Sequence, residues 1–167
     1  MSSLWVALLL ILSAVGSLLW AMPSKMEQRQ AHMRASAMRA GLSLTTLNIT
    51  DQSERGRIHQ SRRLVTGYRL RSRGQILQQW PECLLLRTTS GGSYGLPESW
   101  CWADQPVAFT DQQRNMISSY LVNLPPWVEA WGLTSEGIVA VIEERQGDIR
   151  IAELKQVLVS WFDHIQS

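Results

Sequence analysis

Leu4–Met22 (LWVALLLILSAVGSLLWAM) sets the reading of the whole chain. Its 19 residues carry no charge, and at about 1.5 Å per helical residue they would span roughly 28 Å, the hydrocarbon thickness of a bilayer. Everything after Pro23 is polar enough for water. The expectation is a transmembrane anchor over residues 1–23, a basic juxtamembrane helix over 24–41, and a soluble domain over 42–167.

A cleaved signal peptide would carry positive charge before its apolar core and small residues at a cleavage site. Here only Met1, Ser2 and Ser3 precede the core, and Trp20-Ala21-Met22-Pro23 is a poor site. Lys25, Arg29, Arg34 and Arg39 all follow the span. The positive-inside bias then puts the N-terminus outside and the domain in the cytoplasm, with Trp5 and Trp20 at headgroup level. Within the span, Ser13, Gly16 and Ser17 form a small-residue patch of the kind that lets helices approach closely.

Charge is unevenly distributed. From Met22 to Gln79, eleven Lys/Arg stand against three acidic residues, a net of +8; from Trp80 to Ser167, five basic residues stand against eleven acidic ones, a net of −6. The basic half adjoins the expected membrane, where anionic headgroups would attract it.

Along the rest of the chain, Ser24-x-x-Glu27 is a capping box opening a helix to about Ala40, with Gly41 as its stop. On a helical wheel Lys25, Arg29, His32, Ser36 and Arg39 share one side. Leu42–Ile49 (LSLTTLNI) reads as a first strand, Asp51–Arg63 as a loop, Leu64–Arg71 as a second strand, and Ile76–Thr89 as holding a third, best in Cys83–Thr89. Ser90–Gln105 (SGGSYGLPESWCWADQ) reads as a loop. Thr110-Asp-Gln-Gln113 caps a helix to about Val122, stopped by Leu124-Pro-Pro126. Trp127–Leu133 and Ile138–Glu144 flank Thr134–Gly137 as a hairpin. Ile151, Leu154, Val157, Leu158, Trp161, Phe162 and Ile165 recur at helical spacing and define a terminal amphipathic helix. Runs of strands with helices set apart mean α+β with a mainly antiparallel sheet.

Candidate chemistry is thin. His32, His59 and His164 are scattered, and Cys83 and Cys101 lie 18 residues apart with no C-x-x-C, so neither a metal site nor a cofactor is expected. The cysteines would form one disulfide in an exported protein or be buried thiols in a cytosolic one. The glycine-rich Ser90–Gly95 matches no phosphate-binding pattern. Glu143 and Glu144 fall on opposite faces of one strand and cannot act as a dyad. There is no G-x-S-x-G, and no enzyme activity is expected. Six tryptophans outside the span read as core, or as a surface aromatic anchor. Arg69, Arg71 and Arg73 share one face of the second strand, which is therefore solvent or partner.

The uncharged N-terminal span ending in Trp20, Pro23-Ser24, the Arg/Ala-rich helix, Gly41-Leu42, Tyr68-Arg69-Leu70, the Trp-rich loop and the closing hairpin and helix together resemble a group of gammaproteobacterial single-pass inner-membrane proteins. Some of these carry the label of YajC-like preprotein translocase subunit. The glycine-rich Gly-Asp-Glu-Val-Val-like segment of YajC itself is absent here. The resemblance implies an inner-membrane setting and transfers no catalytic residue.

The functional expectation is a non-enzymatic, membrane-anchored accessory protein whose domain binds another protein. Its candidate contacts are Lys25, Arg29, Arg39, Arg69, Arg71 and Arg73 for an acidic partner or surface, and Ser13, Gly16 and Ser17 for a helix in the bilayer. The alternative is a basic module binding anionic lipid. No nucleic-acid-binding module is recognisable.

Overall fold

The hairpin after Pro126 becomes the centre of a sheet. Gly137–Ile142 (GIVAVI, β6) is buried at all six positions, and Val128–Thr134 (VEAWGLT, β5) pairs with it antiparallel. A strand buried on both faces reads as a continuous apolar run rather than an alternation, and β6 is such a run. The structure is a computed structural model that describes residues 5–8, 11–13, 24–50, 62–72, 79–89, 91–104, 107–143 and 150–166.

The other strands are β1 (Ser43–Thr50), β2 (Arg62–Arg71), β3 (Cys83–Arg87) and β4 (Trp100–Trp102). They assemble in the order β1-β2-β6-β5-β3-β4, with every neighbouring pair antiparallel. The helices are α1 (Lys25–Arg39), α2 (Asp111–Val122) and α3 (Arg150–Gln166). The α+β architecture and antiparallel sheet match the pattern of the sequence. β4 does not: Trp100–Trp102 lies inside the stretch read as a loop, because three residues flanked by Gly and Pro carry too short a period to register.

Both capping boxes form. Ser24 Oγ accepts from Glu27 N while the Glu27 carboxylate accepts from Ser24 N, at 3.2 and 2.6 Å. Thr110 and Gln113 repeat the arrangement at the start of α2. Such a cap contributes about 1 kcal/mol by satisfying amide donors that have no helical acceptor. Gly41 ends α1 with φ 87°, a left-handed conformation that costs a side-chain-bearing residue about 1 kcal/mol or more. The turn lets Leu42 N donate back to Ala37 O at 3.0 Å and delivers the chain directly into β1.

All three helices pack on one face of the sheet. The main core joins Met33 and Ala37 of α1, Ile117, Tyr120 and Leu121 of α2, and Ile151, Leu154, Leu158 and Trp161 of α3 to inward strand residues such as Tyr68, Leu85, Trp131 and Ile138. Trp161 is its hub. Its ring lies 4.9 Å from those of both Tyr120 and Trp131 and 5.3 Å from Trp80, edge-on in each case. Trp100, Trp131 and Trp161 are fully buried, and Trp80, Trp102 and Trp127 pack against the same core, so the tryptophans build the interior. The reverse face holds a smaller cluster, Ile49, Leu86, Cys101, Ala130 and Val141, to which no described helix contributes.

Cys83 and Cys101 are buried thiols, not joined in a disulfide. Cys83 belongs to the helix-side core and Cys101 to the reverse-face cluster, so the sheet itself separates the two sulfurs. Burial pushes the Cys83 thiol up to about 11.

The expected membrane anchor is corrected by the structure. Among the described residues no helix is long and apolar enough to cross a membrane. The described helices are 15, 12 and 17 residues long, short of the roughly 20 apolar residues a span requires, and each carries charged side chains. Of Leu4–Met22, only residues 5–8 and 11–13 are described. They are helical and exposed, and they form no span. Transmembrane, single-pass and inner-membrane readings of the chain are withdrawn with it.

Candidate binding edge and its basic flank

The sheet ends in two edges, and β1 forms the longer one. Ser43–Thr50 (SLTTLNIT) pairs with β2 along all eight residues, Ser43 opposite Arg69 through to Thr50 opposite Arg62, with no register shift. Alternate residues of an antiparallel strand direct their N–H and C=O to one side only, so half of β1 points its backbone groups away from β2. No strand among the described residues pairs with that outer side. Its side chains alternate in chemistry as well. Leu44 packs toward the helix-side core, whereas Leu47 and Ile49 belong to the reverse-face cluster. Thr46 and Asn48, on the helix side, are exposed.

Above this edge lies α1. Met33 and Ala37 anchor it to the core, while Met26, Gln30 and Arg34 overlook β2 and β6. The 100° helical step then puts Lys25, Arg29, His32 and Arg39 on the other flank, toward the open side of β1. Lys25, Arg29 and Arg39 are exposed. Three of the four Lys/Arg of α1 stand on this flank, which is therefore electropositive.

The six candidate cations therefore separate. Lys25, Arg29 and Arg39 stay together on α1. Arg69 and Arg71 do lie on one face of β2, but Arg69 is already engaged. It reaches the Glu136 carboxylate at 2.5 Å and donates through Nε to Ser43 Oγ at 3.3 Å, with its side chain only 16% exposed. It fastens the β5–β6 turn to the start of β1 and is not a free contact for a partner. Arg71 is exposed. Arg73, Gly16 and Ser17 lie outside the described residues; Ser13 is exposed in the short helical stretch at 11–13.

An open cleft of about 500 Å³ occupies the far side of α1. It exists because β2 pairs with β6 only over Tyr68–Arg71, whereas it pairs with β1 from Arg62 to Arg69. Leu64 and Val65 thus face Val141 and Ile142 across a gap roofed by Met26, Gln30 and Arg34. Arg63 and Glu129 close one end as an ion pair at 3.2 Å. Leu64 and Met26 are 74% and 50% exposed at its mouth. Its polar lining is amide, hydroxyl, guanidinium and carboxylate, with neither a nucleophilic thiol nor an imidazole.

Ser119 Oγ and His164 Nε2 lie 3.1 Å apart, a distance that invites a nucleophile–base reading. The Ser119 hydroxyl donates instead to Met116 O within its own helix, at 2.9 Å, and His164 Nε2 meets the same carbonyl at 3.2 Å. Tyr120 OH donates to Val157 O close by, and burial pushes this phenol up to about 12. These contacts clasp α2 to α3.

Sequence reasoning identified β1 as a strand and the α1 flank as basic, but not that the two adjoin at an edge. Strand order is decided by contacts far apart in the chain. No family model matches the chain, and no curated protein or solved structure matches it either.

Proposed function

We propose that this chain is a non-enzymatic protein-binding domain that adds an extended segment of another protein to its sheet at β1. The observation that carries this reading is an eight-residue edge strand with no charge, no proline and no bulge. Sheet proteins blunt such edges with inward lysines, prolines, bulges or a covering loop, because unpaired N–H and C=O groups template further pairing. β1 has none of the sequence devices, and its Thr45, Thr46, Ile49 and Thr50 favour extended backbone. An open edge of this kind is the receptor in strand addition, where backbone hydrogen bonds supply affinity and alternate side chains supply specificity.

The same basic flank would also suit an anionic lipid surface. That reading is weakened because Arg69 and Arg71 fall on the reverse face of the sheet, away from α1, so the cations do not form one surface.

Strand addition has a backbone test. An eight-residue peptide alternating valine with glutamine is titrated into the isotopically labelled full chain, and the β1 amide signals are followed. N-methylation of one alternate set of its residues is expected to abolish the shifts, and methylation of the other set to be tolerated, because only one set faces β1. Equal tolerance of both would sink the proposal.

A further inference from the structure

Resting on the strand-addition reading, we infer that the captured segment is acidic on one side and apolar on the other. Side chains of an added strand continue the two faces of the sheet. On the reverse face they would extend the row Thr45, Leu47, Ile49, which suits apolar residues. On the helix face they would rise beside Thr46 and Asn48 toward Lys25, Arg29 and Arg39, three exposed cations on one flank of α1. Carboxylates at alternate positions meet that flank. The ligand class is an extended peptide in which Asp or Glu alternates with aliphatic residues.

Charge also decides against the simplest competitor, a second copy. An antiparallel β1–β1 pairing that continues the sheet needs a two-fold axis normal to it. That axis keeps the helix face on the same side and brings two α1 helices together, each with four Lys/Arg against Glu27. β1 itself offers no carboxylate to offset them. Like charges juxtaposed across an interface select against that partner.

The experiment uses the full chain and three dye-labelled octapeptides that alternate valine with aspartate, glutamine or lysine, read by fluorescence anisotropy. Three exposed ion pairs should together make the aspartate peptide bind about fivefold more tightly than the glutamine one at low salt. The preference should shrink toward onefold near 0.5 M salt, where screening acts within about 5 Å. The double variant Arg29→Gln/Arg39→Gln should lose the preference and still bind the glutamine peptide. Equal affinity for the aspartate and glutamine peptides overturns the acidic inference and leaves strand addition standing. Failure of every peptide to bind overturns both. A concentration-dependent dimer whose Leu47→Cys variant cross-links to itself identifies a second copy as the occupant and overturns the inference.

Discussion

The two edges of the sheet are treated in opposite ways. At β4 the edge is three residues long and covered by its own loop: Ser93 N donates to Trp100 O at 3.0 Å, and Trp100 N to Pro97 O at 2.9 Å. The Arg87 guanidinium sits 4.8 Å from the centre of the Trp100 ring. The same guanidinium donates to Leu124 O, Pro125 O and Val128 O, so one side chain ties the edge to the chain leaving α2. At β1 the edge is eight residues long, regular and uncovered by any described strand. One side is closed by side-chain and loop contacts; on the other, no described strand pairs with the outer backbone groups. A protein avoiding edge pairing altogether would have closed both.

The largest expected effect breaks the closed edge. Trp100 is fully buried, so Trp100→Ala should cost about 3–5 kcal/mol in chemical denaturation, transfer and cavity terms together. The released β4 amides should then exchange with solvent faster than those of β5 and β6. Retention of wild-type stability would show that the Trp100 ring does not secure this edge.

Arg87→Met comes next. Burial holds the Arg87 guanidinium below its ordinary pKa, and no acidic side chain is among the partners described above. Removing it takes a charged donor from three backbone carbonyls, of which Pro125 O keeps Val128 N at 3.1 Å, at a cost of about 2 kcal/mol. The loss should appear as a lower denaturation midpoint with an unchanged slope, and peptide capture at β1 should be unaffected.

Alkali should also act on the closed half. The Cys83 thiol keeps its proton to about 11 in the folded chain, against 9.0 ordinarily, and the Tyr120 phenol to about 12, against 10.0. Between those limits the folded state holds more protons than the unfolded one, so stability falls as pH rises. It is fully present below pH 9 and declines from there to about 12. The slope is at most about 1.4 kcal/mol per pH unit for each group. A stability profile flat from pH 8 to 11 would contradict this.

The smallest effect on stability should be the most telling for function. Thr46 is exposed on the helix side of β1, and Thr46→Asp should move unfolding free energy by no more than about 0.5 kcal/mol. It should nonetheless weaken binding of the valine–aspartate peptide several-fold, by placing a carboxylate beside the expected ones. Unchanged binding with unchanged stability would remove β1 from the interface.

Much of the secondary structure was legible because its causes are local. Ser24 and Glu27, Thr110 and Gln113, and Gly41 mark helix boundaries through hydrogen bonds and dihedral limits that act within a few residues. The stripe Ile151–Ile165 did the same for α3 through its period. β4 escaped because a three-residue strand has no period of its own. It is held by partners at Leu85–Arg87 and by the loop before it. The candidate site was half legible. The basic side of α1 follows from spacing alone, but the grouping of Arg69 with Lys25, Arg29 and Arg39 failed. Glu136, 67 residues away in the chain, claims that guanidinium.

The amino-acid sequence by itself determined where the helices and all strands but β4 lie, which helix faces are apolar, and that the class is α+β, since caps, turns and periodicity depend on near neighbours. Tertiary structure alone decided that β1 rather than β6 lies at an edge, that Cys83 and Cys101 stand on opposite faces, and that Arg69 is neutralised. It also decided that the apolar N-terminal stretch yields no described helix able to cross a membrane. Strand order and charge pairing depend on which distant segments meet, and composition and spacing do not carry that information.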